Sequence, residues 1–126
     1  MNNFINETDF LLPGERLDDL QIKNYKIIQN PDKFCFGMDA VLLSAFANLR
    51  KNDNVLDLGT GTGILPVLLA AKTGAKHFEA LEIQPESVDM ASRSVQYNNL
   101  QDRINITCGD ICHASEIYGK SCFEAI

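Results

Sequence analysis

The chain has 126 residues, of which 45% are hydrophobic, 22% charged and 8% aromatic, a composition typical of one ordinary globular domain. The same figures exclude a disordered, collagen-like or coiled-coil chain. The net charge is -6, from 11 basic and 17 acidic residues. Because nucleic-acid binding depends on neutralising phosphates, we expect no strong nucleic-acid binding by this acidic chain alone.

No targeting or membrane segment is readable in the sequence. The first residues lack a basic start followed by an apolar run, so no secretory signal is predicted. The longest apolar run, residues 64–71, is far shorter than the roughly 20 residues that span a bilayer. We therefore expect a cytoplasmic protein that does not associate with membranes.

Four cysteines, Cys35, Cys108, Cys112 and Cys122, could form disulfides or contribute to a metal site. The Cys108-x3-Cys112-His113 spacing suggests a metal. A structural zinc site, however, needs four ligands at paired spacings, and no fourth ligand is suitably placed. We therefore expect reduced, mostly buried thiols and no metal site.

The first 33 residues predict a β-hairpin or cap that precedes a main domain at 34–126. They are polar, carry a Pro13-Gly14 turn signal, and contain two short strand-like stretches at 17–22 and 25–29. The two strands would be joined through Lys23-Asn24.

A helix is predicted over residues 40–49, where an apolar run follows Asp39. Asp39 suits the N-cap position because its carboxylate can accept hydrogen bonds from the unpaired amides of the first turn. The apolar residues of this helix predict that it is largely buried.

From residue 53 onwards the sequence alternates between strands and helices. The strand patterns occupy residues 54–58, 77–83 and 104–108, with a fourth beginning at 123–126, and the helix patterns occupy 64–72 and 85–98. Strands joined through helices form right-handed units of a parallel sheet. The fold class is therefore predicted to be α/β and Rossmann-like.

A glycine-rich loop, Asp57-x-Gly59-x-Gly61-x-Gly63, lies between a predicted strand and a predicted helix. Glycines there allow a sharp turn and let a ligand approach the backbone, although tight packing between strand and helix would also require them. The spacing departs from the Gly-x-Gly-x-x-Gly dinucleotide fingerprint. A carboxylate at Asp57 suits a ligand with a cationic group, such as an amine or a sulfonium.

Two further acids follow the next two strands. Glu82 ends the second strand of the alternating region, and Asp110 follows the third. Ligands of open α/β sheets bind at the carboxyl ends of the strands, where Asp57 also lies. A carboxylate at Glu82 can accept hydrogen bonds from both ribose hydroxyls of an adenosine, so the three acids together predict one binding site.

Three segments of the chain resemble the first three cofactor motifs of class I S-adenosylmethionine-dependent methyltransferases: residues 57–63, Glu82-Ile83 and Gly109-Asp110-Ile111. More narrowly, the chain resembles the bacterial tRNA1(Val) adenine-37 N6-methyltransferase family. Four further segments carry this second resemblance: residues 15–20, residues 27–29, the Phe34-x-Phe36-x-x-Asp39 stretch through Leu43, and residues 91–98.

The resemblance implies that the cofactor is S-adenosyl-L-methionine and that the loop backbone passes beneath its methionine moiety. That loop contains Gly59, Thr60, Gly61 and Gly63. Asp57 would lie near the cofactor's amino group.

The adenosine half of the cofactor has its own implied partners. By resemblance, Glu82 would hold the ribose, Ile83 would pack on the adenine, and Asp110 with the Ile111 amide would read the adenine edge.

Phe36 and Asp39 would line the cofactor side of the entrance to the site, again by resemblance. Their alternative interpretation is structural, as an aromatic core residue and a helix N-cap.

The resemblance also implies a catalytic motif, Asn-Pro-Pro-Tyr after the fourth strand, that orients the target amine. Orientation is the main help that methyl transfer from a sulfonium needs. The 126 residues contain no such motif, so we assign no catalytic residue and expect this chain to be inactive alone. The complete enzyme would methylate an exocyclic amine, with adenine N6 in tRNA as the expected substrate.

The fold is expected to be incomplete. The resemblance implies strands in the order 3-2-1 with the start of strand 4 beside strand 1. An unfinished sheet exposes hydrogen-bonding groups and apolar faces, so we expect self-association through that edge.

Three other functions remain open. The chain could be a non-catalytic module that binds S-adenosylmethionine or S-adenosylhomocysteine, a relative of the release-factor glutamine methyltransferases, or an NAD-binding domain.

Overall fold

The computed structural model describes residues 6–33 and 35–126. Residues 1–5 and Phe34, which belong to the predicted hairpin segment and to the resemblance, lie outside the described residues. The elements in chain order are a 3-10 turn Glu7–Phe10, β1 Arg16–Asp19, β2 Lys26–Gln29, α1 Met38–Phe46, β3 Asn54–Leu58, α2 Ile64–Lys72, β4 His77–Glu82, α3 Pro85–Tyr97, β5 Ile104–Cys108, a 3-10 turn Ile111–His113, and α4 Ala114–Tyr118.

The main sheet is parallel, with strand order β3-β4-β5. The helices α2 and α3 connect its strands, which confirms the predicted α/β, Rossmann-like class. The predicted fourth strand forms a single parallel bridge, Val55 to Ala125, beside β3. Its hydrogen bonds run from the Leu56 amide to the Ala125 carbonyl (3.0 Å) and from the Glu124 amide to the Asn54 carbonyl (3.0 Å). This segment therefore lies on the side of β3 away from β4.

The main core lies between the sheet and the helices α2 and α3. Phe78 at the centre of the sheet is fully buried, and Val67 of α2 and Val95 of α3 pack in the same cluster. Most residues of α2 are buried. Pro66 is tolerated in the first turn of α2 because the amide it lacks would have no partner there.

The hairpin is antiparallel, as predicted, but its connection is longer. Arg16 pairs with Gln29 and Asp19 with Lys26, which leaves six residues, 20–25, in the loop. A two-residue connection through Lys23-Asn24 is therefore wrong. Both of those residues have positive φ, 51° and 59°, because the chain needs extra left-handed turns to reverse over this longer loop.

Helix α1 differs from its prediction in three respects, the first being that it ends at Phe46 and not at residue 49. It begins at Met38 after Gly37, so Asp39 lies in the first turn and is not the N-cap. The helix is also largely exposed, and Met38 (70%) and Phe46 (87%) are the most exposed of its apolar residues. Only one side of the helix, including Ala40 and Val41, packs on the small cluster formed by Ile27, Ile64 and Leu68.

The four cysteines are free, as predicted, but they are not mostly buried. Cys35 is half-buried, and Cys108, Cys112 and Cys122 are exposed because they lie at the end of a strand or in loops and turns outside the core. Among residues 6–33 and 35–126, no group of three or more His, Cys, Asp or Glu side chains is placed to hold a metal ion. Every helix in that part of the chain is too short or too polar to traverse a bilayer.

Candidate cofactor site

The glycine-rich loop is fixed to the end of β4 through its backbone. The amides of Gly59 and Thr60 both donate to the carbonyl oxygen of Leu81, at 2.8 and 3.0 Å. Gly59 and Gly61 have φ values of +79° and +61°, a region that favours glycine. A Cβ atom at either position would meet no protein atom within 4 Å, so both glycines border open space.

The third glycine of the loop has a different environment. Gly63 has φ +84°, and a Cβ atom there would lie 3.2 Å from the Cβ of Ala91 on α3. Gly63 therefore allows α2 and α3 to pack closely. The packing interpretation of the glycine-rich loop applies to this position, whereas Gly59 and Gly61 leave room for a ligand.

Glu82 is bound to the loop from the end of β4. Its Oε2 accepts a hydrogen bond from the Gly61 amide at 2.8 Å. Its Oε1 accepts from the amides of Ile83 (3.0 Å) and Gln84 (3.1 Å). An ionised carboxylate offers about four acceptor positions, so Glu82 retains capacity for a hydroxyl of a ligand.

Asp57 lies on β3 on the same face of the sheet as Glu82, because Asp57 pairs with Ala80 and strand residues alternate between faces. Burial raises the pKa of Asp57 above its ordinary value, the nearby Glu82 carboxylate raises it further, and the Thr60 hydroxyl acts in the opposite direction. Two carboxylates share this edge, so it is suited to a cationic group.

A cavity of about 420 Å³ opens above the loop. Its lining includes six of the residues predicted to bind the cofactor: Phe36, Asp39, Gly59, Thr60, Gly61 and Glu82. The elements that bring them together are the loop before α1, the first turn of α1, the loop after β3 and the end of β4.

Sequence reasoning missed eight other lining residues: Lys33, Gly37, Ala40, Thr62, Ile64, Gln84, Ser87 and Met90. Thr62 is part of the glycine-rich loop, and Gln84 and Ser87 follow directly after Glu82. The rule that ligands bind at the carboxyl ends of strands could have found these three. Nothing in the sequence marks Lys33 or Met90.

The other five predicted residues, Asp57, Gly63, Ile83, Asp110 and Ile111, are not among the cavity's lining residues. Ile83 and Ile111 are 59% and 57% exposed. Asp110 caps the short turn that follows β5, and its Oδ1 accepts from the Cys112 amide at 2.8 Å. That hydrogen bond lowers the pKa of Asp110. The cofactor roles of all eleven predicted residues stay predictions, because lining a cavity does not by itself show what binds there.

Relatives of the chain are found among tRNA methyltransferases. The chain is 39% identical over 77 residues to a tRNA1(Val) (adenine(37)-N6)-methyltransferase from Phocaeicola vulgatus, covering 61% of this chain and 32% of that protein. It is 34% identical over 92 residues to one from Haemophilus influenzae, covering 72% and 40%. The chain thus spans about a third to two fifths of the length of these relatives.

Solved structures share the fold at low sequence identity. The Methanocaldococcus jannaschii TYW2 structure in complex with AdoMet matches with a TM-score of 0.66 at 16% identity, over 77% of this chain and 44% of that one. The M. jannaschii Trm5 structure in complex with adenosine matches with a TM-score of 0.62 at 18% identity, over 77% and 30%.

Residues 38–119 match the family model for ribosomal protein L11 methyltransferase (PrmA). The fold and these matches define the class of protein, the class I S-adenosylmethionine-dependent methyltransferases, and confirm the resemblance seen in the sequence. Within that class, the chain belongs to the family that the ribosomal protein L11 methyltransferase (PrmA) model describes.

Proposed function

We propose that this chain binds S-adenosylmethionine in the cavity above the glycine-rich loop, and that the whole protein methylates an exocyclic amine, adenine N6 in tRNA. Two kinds of finding support the proposal: the arrangement of the cavity, and relatives named as tRNA1(Val) (adenine(37)-N6)-methyltransferases. The first concerns the residues of this chain directly.

The hydrogen bond between the Gly61 amide and the Glu82 carboxylate is the observation that carries the cofactor assignment. It sets a carboxylate next to a loop whose glycines leave the space above them open. Glycines of this kind let a ligand approach the backbone, and a carboxylate at a strand end accepts hydrogen bonds from ribose hydroxyls. The residues therefore fit a nucleoside cofactor.

Two further features fit the same cofactor. The cavity volume of about 420 Å³ lies in the range of about 300 to 1,000 Å³ that is usual for ligand sites. The buried Thr60 hydroxyl has no close hydrogen-bond partner among the described residues, although it lies near enough to Asp57 to lower the pKa of that carboxyl. A polar group of a ligand would supply the missing partner.

The roles of individual side chains follow from their positions. Glu82 would hold the ribose, and the backbone of 59–63 would lie beneath the methionine moiety. Asp57 would attract the positively charged amino group, because its carboxylate is half-buried beside a second one. When bound, S-adenosylmethionine supplies an electrophilic methyl group on a sulfonium.

Three other residues would complete the adenosine site. Ile83 would pack on the adenine ring, and Asp110 with the Ile111 amide would read its edge. Phe36 and Asp39 would line the entrance, where both border the cavity.

The tRNA substrate would be bound mainly by residues other than these. The net charge of -6 opposes phosphate binding, so the RNA surface would need basic residues that this chain does not concentrate. A tRNA substrate also agrees with a cytoplasmic location. We expect the 126 residues to bind the cofactor without transferring its methyl group to tRNA, because they contain no Asn-Pro-Pro-Tyr motif.

The second candidate function is a non-catalytic module that holds S-adenosylmethionine or S-adenosylhomocysteine in the same cavity. Both proposals expect these 126 residues to transfer no methyl group to tRNA. A radiolabelled methyl-transfer assay with this chain and bulk tRNA tests that expectation. Transfer above background would contradict it, and would remove the non-catalytic alternative at the same time. A release-factor glutamine methyltransferase would instead act on protein, so a glutamine-containing release-factor peptide is the second substrate to assay.

We also propose that the chain self-associates near the edge of β3. Leu43 (52%) and Ile126 (82%) expose large apolar side chains, and both border, with Val55 and Ala125, another cavity of about 290 Å³ beside β3. Exposed apolar patches promote association. Light scattering should show dimers or larger species that become monomers in Leu43→Ser, and a monodisperse unmodified monomer would contradict this.

Isothermal titration with S-adenosylhomocysteine and with NAD tests the cofactor assignment. We expect binding of S-adenosylhomocysteine, its loss in Glu82→Ala, and its retention in Glu116→Ala, a matched control whose side chain is 76% exposed. Binding of NAD without S-adenosylhomocysteine would identify an NAD-binding domain and overturn the proposal.

A further inference from the structure

The second strand of the hairpin is packed against helix α3, with residues 27–29 fully buried. Its outer edge is paired with side chains of the helix. The Ile28 amide donates to the Ser94 hydroxyl at 2.9 Å. Asn98 accepts from the Lys26 amide at 2.9 Å and donates to the Lys26 carbonyl at 2.6 Å. These bonds fix the backbone that carries Gln29.

The Gln29 side chain extends from this strand to the glycine-rich loop. Its Nε2 donates to the Thr62 hydroxyl at 2.8 Å, a buried contact between residues 33 positions apart. Thr62 is 8% exposed and lines the cavity, whereas Gln29 does not line it. We infer that Gln29 is a positioning residue, which holds the loop in its binding conformation through Thr62. This inference rests on the proposed cofactor site.

The loop needs an anchor on this side because, among the described residues, the other hydrogen bonds that tie residues 59–62 to a neighbouring strand all go to the end of β4. The carbonyl of Leu81 accepts from two loop amides, and Glu82 accepts from Gly61. Glu82 is also the group that would accept hydrogen bonds from the ribose, so its carboxylate would divide its acceptor positions between the loop and the ligand. The bond from Gln29 is independent of the ligand, since Gln29 lies outside the cavity.

The glycines on each side of Thr62 make such an anchor valuable. Gly61 and Gly63 have φ values of +61° and +84°, and glycine loses more conformational freedom than any other residue when it is held in one conformation. Holding the loop in one conformation before binding removes an ordering cost from the binding step. The anchor should therefore affect affinity more than stability.

The carbonyl oxygen of the Gln29 side chain argues against a purely structural role for this residue. Its Oε1 is buried and has no hydrogen-bond partner among the described residues. A buried amide with one unsatisfied end is unfavourable compared with an apolar side chain of the same shape. Packing alone would favour Leu or Met at this position, so we attribute the glutamine to its contact with the loop.

The test compares Gln29→Met with Gln96→Met, a matched change at an exposed position of α3. The ligand is S-adenosylhomocysteine, titrated into the 126-residue chain by calorimetry. We expect Gln29→Met to raise the Kd about fivefold, which corresponds to the loss of one hydrogen bond. We also expect faster amide exchange at 59–63, with an unfolding midpoint equal to or above that of the unmodified chain, and no change in Gln96→Met.

A second variant, Thr62→Val, removes the other partner and keeps the test informative if Gln29→Met does not fold. It should speed exchange of the same loop amides, and the double variant should be no worse than the more affected single one. Unchanged Kd and unchanged loop exchange in Gln29→Met would overturn the inference, as would a uniform loss of protection across the whole core. If the unmodified chain binds no S-adenosylhomocysteine, the proposed function fails, while the loop exchange still tests Gln29 by itself.

Discussion

The amide of Gly61 donates a 2.8 Å hydrogen bond to Oε2 of Glu82, and so joins the middle of the glycine-rich loop to the end of β4. The same carboxylate accepts two further amides from the residues after the strand. Glu82 therefore has a structural role in the loop and an expected role in holding the cofactor ribose. A substitution that separates these roles is informative.

Replacing Glu82 with Gln keeps the shape of the side chain and removes its charge. One of the two acceptor oxygens becomes a donor, so either a backbone amide or a ribose hydroxyl loses its partner. Hydrogen bonds to charged groups are worth about 1.5–3 kcal/mol, so we expect the Kd for S-adenosylhomocysteine to rise about 10- to 100-fold. Calorimetric titration measures this, and an unchanged Kd would exclude Glu82 from the site.

Asp57→Asn should make the chain more stable and weaken its ligand binding. The pKa of Asp57 is raised in the folded state, first by burial and then by Glu82. A raised carboxyl pKa gives stability that is present below the unfolded pKa and is lost as pH rises through the folded one. At neutral pH the ionised group is therefore unfavourable, and its removal should raise the unfolding temperature.

The same carboxylate predicts a pH dependence of binding. Asp57 must be ionised to attract the ligand's amino group, so affinity should fall with decreasing pH at values above the ordinary pKa of 3.8. The Asp57→Asn variant should have lower affinity and a flatter profile. Titrations between pH 8 and the onset of acid unfolding measure both effects, and identical profiles in the two proteins would contradict this role.

Gly61→Ala should weaken ligand binding more than Gly63→Ala does, whereas Gly63→Ala should lower stability more than Gly61→Ala does. Both add a Cβ atom at positive φ, which costs about 1–2 kcal/mol of stability. At Gly63 the new atom would also lie 3.2 Å from Ala91, and such overpacking costs about 1–3 kcal/mol more. At Gly61 the space is open in the protein, so the atom would instead occupy the cavity and reduce affinity more strongly. Denaturant unfolding and ligand titration of both variants test this, and equal effects on stability would contradict it.

Glu15 and Arg93 join the segment before β1 to α3. Arg93 donates to both oxygens of Glu15, at 2.6 and 2.8 Å, and the Glu15 side chain is only 6% exposed. Glu15→Gln should lower the free energy of unfolding by about 1–2 kcal/mol at pH 7, because a well-formed charged pair is lost. Glu7→Gln, at a more exposed ion pair with Lys26, should have a smaller effect.

The Glu15 effect should depend on pH. Hydrogen bonds from Arg93 lower the pKa of Glu15 below its ordinary value of 4.5. A lowered carboxyl pKa gives stability that is present above the unfolded pKa and is lost as pH falls through the folded one. The difference between Glu15→Gln and the unmodified chain should therefore shrink in acid. Unfolding curves at neutral and acidic pH measure it, and a constant difference would contradict the assignment.

The fold and the centre of the site could be predicted from the sequence because both depend on local patterns. Alternating strands and helices define the parallel sheet, and the glycine-rich loop and Glu82 lie where its strands end. Three features depend on contacts between distant residues and could not be predicted. The first is that Gly63 differs from Gly61 because it faces Ala91. The second is the hydrogen bond from Gln29 to Thr62, which joins residues 33 positions apart.

The exposure of α1 is the third such feature. Its apolar sequence indicates burial, but burial depends on which elements cover each side, and only one side has a neighbour among the described residues. The same reason applies to the exposed cysteines. Composition indicates how much surface is available to be buried, whereas the three-dimensional arrangement decides which residues bury it.

The central claim is that S-adenosylmethionine binds above the glycine-rich loop, and residue-resolved NMR tests it most directly. Adding S-adenosylhomocysteine to the isotope-labelled chain should shift the amide signals of Gly59, Gly61 and Glu82 in a saturable manner. Signals from the exposed face of α1, such as Leu42, should not move. A saturable shift confined to residues away from the loop and the end of β4, or no shift at millimolar ligand, would contradict the claim.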